Sequence, residues 1–113
     1  MTEGEQVWDY LYVDDAARAL CSIAESGAVG VFNLASGTTV RIREVAEQIR
    51  DLIDPHLSLG LGQLPYRPDQ IMHLEGDISR LTSATGWMPQ VSLEEGLLRA
   101  VEWYRSGSHD ARK

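Results

Sequence analysis

The chain has 113 residues, 43% hydrophobic and 24% charged, the proportions of one small globular domain and not of a disordered, collagenous or coiled-coil chain. Seventeen acidic residues oppose ten basic ones, for a net charge of -7, and the basic residues are dispersed arginines with a single lysine, Lys113. That pattern excludes the clustered cations by which nucleic acids and anionic membrane surfaces are held.

Taken in chain order, Val7 to Val13 (VWDYLYV) is aromatic and β-branched and predicts a strand. Asp14 or Asp15 then caps a helix to about Ser26, with Ala16, Leu20, Ile23 and Gly27 on one face. Val31 to Ala35 is a short apolar run between Gly30 and Gly37 and predicts a buried strand. Ile42, Val45, Ala46, Ile49, Leu52 and Ile53 carry the clearest helical period, closed by Pro55. Leu57 to Leu64 alternates like a strand weakened by Gly60 and Gly62. Pro65 to Gly76 predicts an extended loop with a short strand at Ile71 to Leu74. Asp77 caps a helix to about Thr85, with Gly86 behind it, and Ser92-x-x-Glu95 opens the last helix as a capping box.

The expected fold is α/β, with two to four strands and four helices in one domain over 1–107, followed by a polar tail over 108–113. Two well-marked strands make a poor sheet, so the chain is expected to pack against further strands or to self-associate. No apolar run approaches the roughly 20 residues of a membrane span, and the acidic start Met1–Glu5 is no signal peptide. The expected compartment is the cytoplasm. Cys21 is the one cysteine and is expected to be a small buried hydrophobe.

Counting excludes several chemistries. His56, His73, His109 and Cys21 are remote from one another, so no metal site is expected. No serine sits in a Gly-x-Ser-x-Gly elbow. Gly27-Ala28-Val29-Gly30 follows a helix and precedes a strand, the reverse of the order that a dinucleotide needs, so no cofactor-binding residue is expected. One feature is positive. Tyr66-Arg67-Pro68-Asp69-Gln70 puts an arginine on a proline-stiffened loop with a carboxylate two residues on. The guanidinium fork suits phosphate and the carboxylate suits sugar hydroxyls. The alternative is a solvated Arg67 paired locally to Asp69.

Three blocks in order carry a resemblance. VWDYLYVDDAARAL resembles "RDYIHVDDVARA", GVFNLASGTTVRIREVAEQI resembles "G.VYNIGSG..VSI.ELA..I", and PYRPDQIMHLEGDISRLTSATGWMPQVSLEEGLLRAVEWYR resembles an "RPGD" loop, "aDtSKa...LGW.P" and "L.eGL...v.WY". These belong to the extended short-chain dehydrogenase/reductases, the NAD(P)-dependent nucleotide-sugar epimerases and dehydratases typified by UDP-galactose 4-epimerase. The resemblance implies the C-terminal, substrate-binding third of such an enzyme, without the N-terminal Rossmann cofactor half.

For this chain the resemblance implies a nucleotide-sugar ligand. Arg67 would grip the diphosphate, Asp69 or Gln70 would meet the ribose, and Tyr10 would lie beside the phosphates. Trp8 stands where the family often has a second cation, and its ring can stack on a base or sugar. Arg41 stands where the family usually has a Ser or Thr cap, so that helix is expected to start raggedly. The family's Gly-x-x-Gly-x-x-Gly and Tyr-x-x-x-Lys motifs are missing from the sequence. No catalytic residue is therefore expected, and NAD or NADP would belong to the full-length enzyme. The resemblance thus implies an enzyme family but a chain without independent catalysis. The alternative is a non-enzymatic interaction module that self-associates or complements a partner carrying the missing motifs.

Overall fold

The computed structural model describes residues 1–107, so the expected polar tail lies outside the described residues. The elements in order are β1 (Val7–Asp9), α1 (Val13–Ser26), β2 (Thr39–Arg41), α2 (Ile42–Ile53), β3 (His73–Leu74), α3 (Ser79–Thr85) and α4 (Leu93–Arg105). The strands form one sheet in the order β2-β1-β3, with β1 antiparallel to β2 and parallel to β3. Trp8 stands at its centre, opposite Val40 on one side and Leu74 on the other. The class, the helix number and the strand number are those expected.

The strands lie elsewhere than expected. β1 stops at Asp9 because Tyr12 already forms the N-cap of α1. Val31–Ala35 is not a strand. Both edges of β1 are taken by β2 and β3, and among the described residues the run pairs with neither outer strand. The run is not buried as a whole: Phe32 packs on the core and Ala35 is buried, while Val31 and Leu34 stand 82% and 40% exposed. Leu57–Leu64 forms turns, because Gly60 and Gly62 take left-handed φ values of 60° and 75° that a strand cannot hold. β2 was not foreseen, and β3 occupies only the second half of the expected strand at Ile71–Leu74.

The core lies between α1 and α3. Ala19, Leu81 and Trp87 are buried, and Leu11, Ile23, Phe32 and Ile78 pack around them. α1 presents Ala19 inward and not Leu20, which is 61% exposed. Cys21 is exposed too, against expectation, because it follows Leu20 onto the outer face. Asp14 and Asp15 do not cap α1. They lie inside its first turn, and Asp15 reaches across the fold.

α2 has no side-chain cap at Arg41, yet its start is not ragged. The Ile42 and Arg43 N–H groups each donate over 2.9 Å to backbone carbonyls, those of Gln6 and Gly4. Backbone from the chain's beginning does the work of a cap. Gly4 makes this approach possible at φ 74°, and a Cβ there would meet the Arg43 backbone at 2.9 Å. Gly4→Ala is therefore expected to cost on the order of 2 kcal/mol through left-handed strain and this clash. A urea midpoint that falls at unchanged slope is the check.

The other ends mostly follow expectation. Gly86 closes α3 in the left-handed region at φ 76°. Asp77 accepts from the Ser79 N–H at 2.9 Å, although the N-cap itself is Ile78. Ser92 caps α4 by accepting from the Glu95 N–H at 3.2 Å. Glu95 pairs forward with Arg99 at 2.9 Å, so only half of the capping box forms. At the far end of α4, Arg105 donates to the Leu52 and Ile53 carbonyls, tying α4 to the C-terminus of α2.

Candidate functional site

Pro68 presets the backbone at the second position of a four-residue turn, Arg67 to Gln70, closed by the Gln70 N–H donating to the Arg67 carbonyl at 3.0 Å. Arg67 and Asp69 both stand exposed on this turn. They do not pair with each other, and Arg67 forms no ion pair among the described residues. The local pair that was the alternative for Arg67 is therefore not formed.

Three hydrogen bonds tie this loop to the start of the chain. The Glu5 N–H donates to the Tyr66 hydroxyl at 3.0 Å. The Val7 N–H donates to the Met72 carbonyl at 2.8 Å. The Trp8 indole N–H donates to the Ile71 carbonyl at 2.9 Å. Trp8 in the central strand and the Arg67 turn, far apart in sequence, are thus joined through the Ile71 carbonyl.

Tyr10 lies just past β1, 37% exposed. It borders an apolar cavity of about 580 Å³ shared with Leu11, Tyr12, Leu93, Leu97 and Trp103. It also borders a more polar one of about 430 Å³ with Thr38, Thr39, Glu44, Gln48 and Glu94. Arg67, Asp69 and Trp8 line neither. Burial pushes the Tyr10 hydroxyl above its ordinary pKa, so it stays a protonated donor at neutral pH. Tyr12 sits close over Gly96 in α4, with Arg99 5.6 Å from its ring centre. The hydroxyl, amide and carboxylate groups around Tyr10 were missed by sequence reasoning, since Thr39 and Gln48 come beside Ser92 only through packing.

Two carboxylates organise these parts. Asp9, at the end of β1, accepts from the Ser36 N–H at 2.7 Å and the Gly37 N–H at 2.9 Å. Asp15 is 1% exposed and accepts from Arg18 at 2.8 Å, from the Gln90 N–H at 3.1 Å and from the Val91 N–H at 2.9 Å. Its burial raises its pKa, but the Arg18 guanidinium and the two backbone donors outweigh that and hold it below the usual carboxylate range.

A dinucleotide does not fit the glycine turn. Gly27 ends α1 at φ 69°, and Gly30 leads into chain without helix, so the turn opens no helix whose N–H groups could meet a pyrophosphate. A Cβ at Gly30 would meet the Arg80 guanidinium at 2.9 Å, so the glycine serves a side-chain contact. Among the described residues, no three His, Cys, Asp or Glu side chains gather as a metal site, and no helix is long and apolar enough to cross a membrane.

Comparison with known proteins agrees with this architecture. The family model for GDP-mannose 4,6 dehydratase matches residues 1–100. The chain is 33% identical to dTDP-glucose 4,6-dehydratase 1 of Escherichia coli, over 94% of its own length and 31% of that protein's. It is 31% identical to the UDP-glucose 4-epimerase of Thermotoga maritima, solved with UDP-glucose, at a TM-score of 0.84, covering 93% of this chain and 33% of that one. It is 28% identical to the Bordetella bronchiseptica enzyme WbmF, solved with NAD+ and UDP, at a TM-score of 0.77, covering 95% and 31%. The chain thus spans about a third of the length of these relatives. With a matching family model over nearly its whole length and the α/β fold of those enzymes, the chain belongs to the GDP-mannose 4,6 dehydratase family of sugar-nucleotide dehydratases and epimerases.

Proposed function

We propose that the chain is the nucleotide-sugar-binding part of an NAD(P)-dependent epimerase, dehydratase or 4-ketoreductase, without catalysis of its own. One observation carries this reading: Arg67 is an exposed cation without an ion pair among the described residues, on a turn stiffened by Pro68 and tied to β1. Little backbone entropy remains to be lost when its side chain takes a diphosphate in two parallel hydrogen bonds. Asp69, or Gln70, accepts from ribose hydroxyls. Tyr10 donates from its protonated hydroxyl toward the phosphates, and Trp8 offers its ring to a base or sugar.

The chain then contributes orientation and not chemistry. NAD or NADP supplies the hydride transfer of such enzymes, held by the part of the relatives that this chain does not span. The reaction is expected in the cytoplasm, with neither nucleic acid nor membrane as partner. Arg67→Ala is expected to weaken binding of a uridine or thymidine diphosphate sugar about tenfold or more, the loss of a charged hydrogen bond. Calorimetric titration is the check, and unchanged affinity would remove the reading. Incubation of the purified chain with NAD(P) and a nucleotide-sugar panel is expected to give no conversion. Turnover there would overturn the absence of independent catalysis.

A second reading, a self-associating or partner-complementing module, is favoured by the unpaired run Val31–Ala35, with Val29 and Val31 89% and 82% exposed. An exposed apolar run of this kind offers surface for association with another chain. Sedimentation at several concentrations tests it: association supports the module, and a strictly monomeric folded species counts against it.

A further inference from the structure

We propose that Trp8 is a positioning residue for the anion grip, its indole N–H holding the Ile71 carbonyl so that the Arg67 turn is presented at a fixed place beside β1. The inference rests on the nucleotide-sugar reading and adds to it a residue whose side chain carries no charge. Its ground is the arrangement of the three ties. Tyr66 is held by the Glu5 N–H on one side of the turn. On the other side the chain is held at Ile71 by Trp8 and at Met72 by Val7. Between these clamps lie only the four residues Arg67 to Gln70, closed on themselves by one backbone bond.

Trp8 suits this task for a physical reason. It sits at the centre of the sheet, with neighbours on both sides fixing its backbone. Its ring has two rotatable bonds, so a rigid donor is carried across to the loop at small entropic cost. Val7 cannot replace it, because its own N–H bond lies one residue further on, at Met72. The Gln70 side chain also reaches the Ile71 carbonyl, but at 3.5 Å, a much weaker tie. Without the indole donor, the nearest anchor on the exit side moves from Ile71 to Met72, and the unclamped stretch lengthens from four residues to five. Clamping both ends removes disorder that a phosphate ligand would otherwise have to quench.

The test uses Trp8→Phe, which keeps an aromatic ring and deletes the donor, with Arg67→Ala and the double variant, titrated with UDP. Trp8→Leu serves as a second donor-free side chain should the first fail to fold. Trp8→Phe is expected to weaken UDP three- to tenfold while the chain still unfolds in one cooperative transition. The double variant is expected to bind no worse than Arg67→Ala alone, since Trp8 acts through that turn. Amide hydrogen exchange at Gln70 is expected to quicken in Trp8→Phe without ligand. Losses that add in the double variant, wild-type affinity in Trp8→Phe, or unchanged exchange at Gln70 would overturn the role of Trp8 alone. Absence of UDP binding by the wild-type chain, or binding indifferent to Arg67→Ala, would overturn the nucleotide-sugar reading and this inference with it.

Discussion

Asp15→Ala is expected to lower the thermal midpoint by about 15 °C. The carboxylate is 1% exposed and serves three donors, Arg18 on its own helix and two neighbouring backbone N–H groups from one distant stretch, Gln90–Val91. Its removal leaves the part-buried Gln90 and Val91 N–H groups without that partner, whereas Arg18 keeps the Met88 carbonyl at 2.8 Å. Two unsatisfied donors and a lost charged bond come to about 3 kcal/mol. A domain of this size loses about 4–8 °C per kcal/mol. Circular dichroism melting checks the figure, and a fall of only a few degrees would mean that water replaces the carboxylate.

The same residue gives the fold a pH dependence with a definite sign. Its pKa is lower in the folded chain than in the unfolded one. Its contribution is therefore complete above the ordinary carboxylate range near about 4 and is lost as pH falls through the lower folded value. Asp77 is also held low, by the Ser79 hydroxyl and N–H, but it is exposed and gives a weak background common to wild type and variant. Asp15→Asn should flatten the acid limb of stability against pH. An unchanged limb would assign it to other groups.

Trp87→Ala carries the second large effect, about 3–5 kcal/mol from ring deletion and the cavity left behind. Trp87 is 2% exposed against Ala19 and Leu81. Its indole N–H donates to the Asp15 carbonyl at 3.0 Å, so ring and carboxylate brace one junction between α1 and the segment before α4. The double variant with Asp15→Ala should lose less than the sum of the two single losses, because each weakens the other's setting. Urea unfolding with near-ultraviolet dichroism measures all three. Additive losses would show that the two groups act independently.

Much of the helical fold was legible. α2 and α4 lie within a residue or so of their apolar periods, and Gly86 and Ser92 mark boundaries by their own backbone and side-chain chemistry. The strands were harder. Val31–Ala35 has strand composition and lacks a neighbour, whereas Thr39–Arg41 is three residues long and exists because Val7–Asp9 lies beside it. The aromatic residues divided in the same way. Trp87 is core, while Trp103 and Tyr104 are 43% and 65% exposed, because α4 packs through Val101.

The sequence alone determined what local chemistry determines. It established the family through three ordered motif blocks, the helices through their period, and the stiffness of the Arg67 turn through Pro68. Only the tertiary structure decided which separated residues meet. Asp15 looked like a cap and proved to be a buried brace. Arg41 lacks a capping side chain, and its helix borrows the carbonyls of Gly4 and Gln6. Trp8, a departure from the family motif, turned out to clasp the Ile71 carbonyl. Periodicity and turn propensity act over a few residues. A buried carboxylate, a borrowed carbonyl or an indole clasp depends on which distant backbone groups packing brings within 3 Å, and no local pattern encodes that.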